Sequence, residues 1–282
     1  GRLVAALFGF SCEKELNPVE LVDYLSQRAG LLLPRGVSVY TFPHRTFQEY
    51  LAACYLTDHD YPDQVCELVR ADFERWREVA LLAGAKATRG MGGAIWSLAE
   101  TLCDCEPDEP GEPIQVWTAY LAGQALAETA RLDQVSKRDK PKLERVRRWL
   151  VRALGDSALP ALERARAGDV LARLGDPRPE VMTVGGMQFC HVPAGDFMMG
   201  EDDDLHRNRA LDYGYWLARH PVSVAQWTQF VEASGHTPGD ADSLRAPANR
   251  PVRWVSWDEA QAFCAWLQDR HGATLPPGLR FG

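Results

Sequence analysis

Three features that this 282-residue sequence lacks limit what it can be. None of its seven cysteines forms a C-x-x-C pair, and the closest spacing, Cys103 to Cys105, gives one isolated pair instead of a zinc site. There is no G-x-x-x-x-G-K-[ST] loop, so the sequence holds no phosphate-binding loop of that type. Positive charge is not in excess either. The net charge of -8 argues against a general nucleic-acid or anionic-membrane binder, and we expect neither kind of partner.

Long hydrophobic runs and dense cysteines are missing as well. The longest apolar run near the start, Leu3 to Phe10, is far shorter than the ~20 residues that span a bilayer, and no signal-peptide cleavage pattern follows it. We predict that this run forms a buried helix. Cysteines that are few and odd in number are untypical of a disulfide-stapled secreted domain. We therefore expect a cytoplasmic protein with buried free thiols. Since the first residue is Gly, we expect a piece of a longer chain.

The first 58 residues predict a helix, a hairpin and a second helix, which is the order of a winged-helix unit. The first helix should end at Gly30. Two strands, Leu31 to Leu33 and Val37 to Phe42, flank the turn-forming residues Pro34-Arg35-Gly36. The second helix should run from about Arg45 to Thr57.

Part of this region carries a family motif. The string FPHRTFQEYLAA at residues 42–53, preceded by RAGLL at 28–32, resembles the region after the ATPase core in NACHT-type signal-transduction (STAND) NTPases. The resemblance implies a winged-helix region, residues 1–58, that follows an absent NACHT core, with ATP and Mg²⁺ expected only where such a core lies upstream. It also implies that His44, with Arg45, lies near the nucleotide. The alternative is that both residues cap the helix and pack the domain.

Residues 59–180 predict an α-helical arm. Apolar residues from Val65 to Leu82 trace one helical face opened by Asp63, and Pro113 and Pro141 each suit a first helical turn. The string AGDVLARLGDPR at 167–178 resembles the end of a HEAT-like repeat, where Gly175 and Pro177 should stop the helix. We therefore predict helices that bury one face by stacking on a neighbour.

Residues 181–282 change to short strands rich in Gly and Pro. The string VPAGDFMMG at 192–200 resembles the opening of the formylglycine-generating enzyme family, also called sulfatase-modifying factors. HPVSVAQW at 220–227 and NRPVRWVSWDEA at 249–260 continue the likeness in register. The resemblance implies a C-type-lectin-like fold. The predicted fold class is therefore multidomain: mainly α, followed by an incomplete α+β domain.

The same resemblance places the family's copper-binding cysteine pair, calcium ligands and substrate groove after the point that LPPGLRFG at 275–282 approaches. We therefore assign no catalytic residue and no metal ligand, and we do not expect this chain by itself to be an enzyme. Copper or calcium would be needed only by a complete, active domain. Cys190 and Cys264 fall outside the positions of the catalytic pair, so we expect both in the core.

The residues of this last domain also support local predictions without the family. Ser223 with Gln226, and Ser256 with Glu259, have the spacing of helix capping boxes. The acidic run at residues 201–204 with His206 should be a solvated loop, because consecutive carboxylates cannot all turn to one ion.

The domain is also rich in tryptophan. Trp216, Trp254 and Trp257 could line a recognition groove, whereas packing in the core is the alternative that tryptophan usually takes.

Three functions are consistent with these patterns. The first is a sensor and coupling segment of a bacterial signal-transduction NTPase, in which a lectin-like domain recognises a protein or peptide, with phage defence as a setting by analogy. The full-length protein would then form an ATP-dependent homo-oligomer. The second is a formylglycine-generating oxidoreductase whose catalytic half lies beyond this chain. The third is a helical adaptor that binds a protein partner.

Overall fold

Helices account for most of the residues that the structure describes, which also include three antiparallel two-stranded sheets. The computed structural model describes residues 18–28, 30–36, 39–107, 112–209 and 212–271. The chain divides into two compact units, residues 1–164 and 165–282. Within the described ranges no helix is both long and apolar enough to cross a membrane. The buried helix predicted for Leu3 to Phe10 lies outside the described residues.

The first unit opens with the predicted order of helix, hairpin and helix. Helix α1 is Pro18–Gln27, strands β1 and β2 are Leu33–Gly36 and Val39–Thr41, and helix α2 is Arg45–Thr57. The prediction that Pro34-Arg35-Gly36 forms the turn is wrong, because these residues belong to β1 and Pro34 pairs with Tyr40. A break in register between Pro34 and Gly36 accommodates the turn-type residues inside the strand.

Six further helices follow: α3 Asp63–Ala71, α4 Phe73–Gly90, α5 Ala94–Leu102, α6 Pro113–Thr129, α7 Lys140–Ala153 and α8 Ala161–Leu174. The single helical face predicted from Val65 to Leu82 is interrupted at Asp72, whose extended backbone ends α3 and whose side chain caps α4 by accepting from the Arg75 N–H at 3.2 Å. The other predicted boundaries are confirmed. Prolines stand in the first turns of α6 and α7, and α8 ends before Gly175.

The core of the first unit forms around α4, which packs against α2, α3, α5 and α6, while α6 also packs against α7. Gly84 of α4 permits the close approach to α5. A Cβ at this position would lie 2.9 Å from Ile95 Cδ1 and from Leu98 Cδ2, and both of these side chains are fully buried. The interior is therefore filled to the point where one methyl group matters.

The second unit is built from short elements around two helices. Four strands follow the four-residue helix α9 Pro179–Met182: β3 Phe189–Val192, β4 Phe197–Met199, β5 His206–Asn208 and β6 Tyr215–Ala218. Strand β3 pairs with β6, and β4 with β5. Helices α10 Val224–Ser234 and α11 Trp257–His271 contribute the core, in which Trp227, Phe230, Phe263 and Leu267 pack with Val184.

The string VPAGDFMMG runs from the end of β3 through β4 to Gly200. That glycine has a φ of +100°, and a Cβ there would lie 2.3 Å from the Asp204 carbonyl oxygen. Only glycine fits such a position without strain. The acidic residues that follow form an exposed 3₁₀ turn, Asp202–Asp204, as expected for a solvated loop.

The prediction that the cysteines are all buried is partly wrong. Cys190 is exposed on β3. The side chains of a strand alternate between the two faces of its sheet, and Cys190 lies on a face of this two-stranded sheet that is left open. Cys264 is half-buried beside the core of the second unit. In the first unit, burial raises the pKa of Cys66 and Cys103 to about 12, which leaves both thiols protonated and unreactive at neutral pH. Cys12 lies outside the described residues.

Candidate recognition surface

A backbone pairing places the tryptophan-bearing loop of the second unit. The Val252 N–H donates to the Val222 carbonyl at 2.9 Å, and the Val224 N–H donates to the Arg250 carbonyl at 2.9 Å. The residues just ahead of α11 are thereby held against the entry of α10. The loop from Arg253 to Ser256 connects this pairing to α11.

Both predicted capping boxes are present. In α10 the Ser223 Oγ accepts from the Gln226 N–H at 3.2 Å, and the Gln226 Oε1 accepts from the Ser223 N–H at 3.0 Å. In α11 the equivalent distances are 3.3 Å for the Glu259 N–H to Ser256 and 2.8 Å for the Ser256 N–H to Glu259. Sequence spacing alone was sufficient to predict both capping boxes, because a capping box is a contact between residues three apart.

Glu259 has a second partner that the spacing did not predict. Its Oε1 accepts from the Gly239 N–H at 2.8 Å and lies 3.4 Å from the Nε2 of His236. The backbone N–H groups of Ser256 and Gly239 hold the pKa of Glu259 at about 2, so this carboxylate is charged at any physiological pH. One carboxylate therefore joins the loop at residues 236–240 to the first turn of α11.

Above this carboxylate lies an open cavity of about 520 Å³, lined by Thr237, Gly239, Asp240, Trp254, Val255, Ser256 and Glu259. Trp254 is 61% exposed and has a φ of +62°, an uncommon conformation for a bulky side chain. Trp257 is 74% exposed at the start of α11. Two large aromatic side chains are thus exposed within four residues, and of the two Trp254 lines the cavity, together with the carboxylates of Asp240 and Glu259.

Of the three predicted tryptophans, neither Trp257 nor Trp216 is among the residues that line this cavity. Trp216 lies in β6 opposite His191 of β3, and the two ring centroids are 5.3 Å apart. Its ring is half-buried, and its Nε1 is buried with no hydrogen-bond partner among the described residues. The structure therefore places Trp254 at the cavity and Trp216 in the sheet. In the described ranges no group of three His, Cys, Asp or Glu residues is placed to hold a metal ion.

The predicted nucleotide-proximal pair lies in the first unit, at the start of α2. His44 occupies the N-cap position and is exposed, but its side chain makes no capping hydrogen bond. The Arg45 Nε donates to the Glu49 carboxylate at 2.6 Å, and its Nη2 donates to the Glu74 carbonyl at 3.4 Å.

Arg45 and Glu49 share a cavity of about 480 Å³ with Arg75, Asp72 and Glu74, and His44 is not among the residues that line it. The structure thus joins Arg45 to α4 and leaves His44 outside that cavity. A role for either residue at a nucleotide stays a prediction.

Glutamines that hold α10 in place were missed by the sequence analysis. The Gln226 Nε2 donates to the Glu180 and Thr183 carbonyls at 3.0 and 3.2 Å, and the Gln229 Nε2 donates to the Met182 carbonyl at 2.8 Å. We call this set the glutamine latch. Its partners lie more than 40 residues away in sequence, and glutamine on a helix gives no periodic signal that would reveal them.

Comparison with protein families assigns both ends of the chain. The description "Winged helix-turn-helix domain C-terminal to NACHT" matches residues 11–56, and "Sulfatase-modifying factor enzyme 1-like domain" matches residues 177–276. The chain therefore contains one segment similar to the winged helix that follows NACHT and another similar to a sulfatase-modifying-factor domain. No curated protein and no solved structure matches it significantly.

The two matched families divide the candidate sites between them. The cavity lined by Trp254 and Glu259 lies within the residues that match the sulfatase-modifying-factor description, whereas His44 and Arg45 lie within those that match the winged helix. Residues 57–176 lie between the two matches and are helical apart from their connecting segments. The glutamine latch starts at Glu180, only a few residues after the second match begins.

Proposed function

We propose that this chain is the sensor and coupling segment of a bacterial signal-transduction NTPase of the NACHT (STAND) type. The order of its parts is the observation that supports the proposal: a winged helix of the kind that follows NACHT, then helices, then a sulfatase-modifying-factor-like domain. In such an arrangement the last domain recognises a ligand, and the winged helix transmits that event to an ATPase-controlled switch.

The recognition step is supported by the exposure of Trp254, which lines a concave surface, and of Trp257 three residues further along the chain. Tryptophan supplies a large contact area at a low cost in conformational entropy and is enriched at the energetic centres of protein interfaces. Strained backbone such as that of Trp254 tends to persist where function requires it. We infer that a protein or peptide binds here, in a lectin-like manner.

The coupling step assigns the helices between the two matches to a HEAT-like arm. A ligand shifts the equilibrium between monomer and oligomer only if it binds one of the two states more tightly than the other. The arm must therefore fit one oligomeric state better than the other if it is to transmit ligand binding. The ATP-dependent homo-oligomer is the state that we expect the ligand to favour. A cytoplasmic response to phage is the setting that we propose, by analogy with this domain order.

The full-length protein provides the test. We expect ATP to bind and to shift its mass distribution towards oligomers, as measured by mass photometry with and without lysate from phage-infected cells. Trp254→Ala with Trp257→Ala should remove the response to lysate but keep ATP binding. Tyr213→Ala is the matched control, since this aromatic residue of the same unit is 58% exposed and does not line the cavity. A full-length protein that neither binds ATP nor changes its oligomeric state would contradict the proposal.

The second candidate function is oxidation of a substrate cysteine to formylglycine, and the matched domain description favours it directly. Incubating the full-length protein with copper, oxygen and a cysteine-containing peptide, followed by mass spectrometry, decides this question. Formation of the aldehyde would show that the protein is an enzyme, and it would favour this candidate over ligand recognition.

The third candidate, a helical adaptor, requires an apolar patch on the arm. In the described part of residues 59–180, the large apolar side chains that are exposed are Met91 and Leu162, which gives this candidate little support.

A further inference from the structure

The cavity at Trp254 combines an aromatic ring with acidic side chains. Its lining includes the carboxylates of Asp240 and Glu259, and no lysine, arginine or histidine of the described residues belongs to it. Glu259 is ionised, because the N–H groups of Ser256 and Gly239 hold its pKa at about 2. A concave surface lined by charges of one sign concentrates their field, so the electrostatic potential in this cavity is negative.

Asp240 is held in place by its neighbours but keeps one carboxylate oxygen available. Its Oδ1 accepts from the Asp242 N–H at 2.8 Å, and its carbonyl accepts from the Ser243 Oγ at 2.7 Å. Among the described residues no hydrogen bond or ion pair involves its Oδ2. The nearby Arg245 pairs with Asp242 instead, at 2.6 Å. A donor that enters the cavity therefore meets an acceptor that is already oriented, which lowers the entropic cost of binding.

The ring of Trp254 supplies the second kind of contact. A cation placed over the face of a tryptophan is attracted by the negative charge density of the ring. Aromatic rings elsewhere in the described chain carry such a cation, with the central guanidinium carbon 5.1–5.6 Å from the ring centroid, and Trp254 is not among them. In each case the cation is arginine: Arg75 on Trp76, Arg77 on Tyr120, Arg152 on Trp149 and Arg270 on Trp266.

Two other kinds of ligand fit the cavity less well. A helix N-terminus attracts anions through its free N–H groups, and α11 begins at this cavity. Here, however, the Ser256 N–H already donates to Glu259 at 2.8 Å, and Asp258 adds another carboxylate to the first turn. A quaternary ammonium group is typically enclosed by a cage of aromatic rings, whereas Trp254 is the one aromatic residue among the described residues of the lining.

We propose that this cavity binds an arginine side chain of a protein or peptide partner. The guanidinium stacks on Trp254 and donates to the Oδ2 of Asp240, and the charge of Glu259 adds to the attraction. A planar, forked guanidinium suits both a ring face and a carboxylate, whereas the ammonium of lysine is a compact, strongly hydrated point charge. The chain's net charge of -8 favours the approach of a positively charged partner. Binding of this kind rests on the proposed function and specifies the chemistry of the partner that the second unit recognises.

The first experiment titrates the 282-residue chain, labelled with 5-fluorotryptophan, with short peptides and follows its fluorine NMR signals. Trp254→Phe identifies the signal of Trp254 by its loss. Acetyl-Gly-Arg-Gly-amide should shift that signal with a dissociation constant of ~1–10 mM, as expected for a contact with one side chain. The lysine peptide should bind about threefold or more weakly than the arginine peptide. The citrulline peptide should not bind, because citrulline keeps the shape of arginine but lacks its charge.

The second experiment locates the contact by substitution, with affinity measured from the peptide's own NMR signals by saturation transfer. Asp240→Asn keeps an oxygen that can accept from the Asp242 N–H but removes the charge. This variant and Trp254→Ala should each bind the arginine peptide about fivefold or more weakly. Asp258→Asn is the matched control, because it removes an exposed carboxylate at the start of the same helix that does not line the cavity. Its affinity should change by less than about twofold, since salt screens exposed charges. Circular dichroism checks that each variant is folded.

Several results would overturn arginine binding at this cavity. The arginine peptide could fail to bind, or it could bind no more tightly than the citrulline peptide. Unchanged affinity in both Trp254→Ala and Asp240→Asn would place the binding site elsewhere. A phosphoserine peptide that displaced the arginine peptide would show that the cavity prefers anions. None of these measurements involves ATP or oligomers, so the arginine site can fail while the sensor function stands with another ligand. Conversely, a full-length protein that binds the arginine peptide but not ATP would contradict the sensor function alone.

Discussion

Glu259 connects two parts of the second unit through a single carboxylate. It caps α11 through the Ser256 N–H and holds the loop at Gly239. Its low pKa of about 2 follows from these N–H groups, which stabilise the charged form. Since the same residue lines the cavity beside Trp254, its carboxylate connects two segments of the cavity wall, at Gly239 and at Ser256.

We predict that Glu259→Gln lowers the free energy of unfolding of the second unit by about 1–2 kcal/mol at neutral pH, because it weakens a charged cap and a second hydrogen bond. The folded-state pKa lies below the ordinary 4.5, so the contribution is complete above pH 4.5 and is lost as the pH falls towards about 2. Urea unfolding at a series of pH values measures it. The exposed Glu232→Gln on α10 is the control, and a difference that persisted at pH 2 would contradict the prediction.

Gly84 sets a limit on side-chain size at the contact of α4 with α5. We predict that Gly84→Val destabilises the first unit by about 1–3 kcal/mol, because its Cβ meets Ile95 and Leu98 in a filled core. Urea denaturation followed by circular dichroism checks this value. Gly90→Ala, at a position with open space around it, should have little effect or stabilise slightly. Equal losses in both variants would disprove the packing argument.

At the scale of elements, the local signals were predictable and the tertiary ones were not. Both capping boxes and the bounds of α2 were correct, because they depend on residues within one or two turns of each other. The break at Asp72 was missed because the apolar period continues from Val69 to Phe73 and Trp76 across it. A capping aspartate interrupts a helix without interrupting its pattern of burial.

The candidate surface was predictable to a similar extent. The tryptophan-rich loop identified Trp254 and Trp257, whose exposure agrees with a role in binding. The link from Glu259 to Gly239 spans 20 residues, and the glutamine latch spans more than 40. Both distances exceed the one or two helical turns over which sequence patterns predict contacts, so neither contact was predictable. Trp216 was grouped with Trp254 and Trp257 because the domain is rich in tryptophan. Composition alone does not show that Trp216 lies in a strand and packs against His191.

At the scale of the whole molecule, the charge on helix α2 and on the chain bears on whether this winged helix binds DNA. Helix α2 carries Arg45 and Glu49 paired with each other and no other charged side chain, and the chain has a net charge of -8. Recognition helices depend on lysine and arginine contacts to phosphates.

We therefore predict no binding to a DNA duplex of ~20 bp, about two helical turns, at ~0.15 M salt in a fluorescence anisotropy titration. A dissociation constant tighter than ~1 µM would contradict this prediction. Because phosphate contacts weaken with salt, the titration should be repeated at low salt, where weak electrostatic binding would be revealed.

The glutamine latch and its neighbours bear on how the second unit opens. The Asn249 Nδ2 donates to the Gly168 carbonyl at 2.9 Å and to the Asp176 carboxylate at 2.9 Å, ahead of the family match at residue 177. Burial raises the pKa of Asp176, but hydrogen bonds from Arg178 and Asn249 outweigh it and keep the pKa below its usual value. We therefore expect the residues on both sides of the family boundary, from Gly168 in α8 to Asn249, to exchange their amide hydrogens as one cooperative unfolding unit.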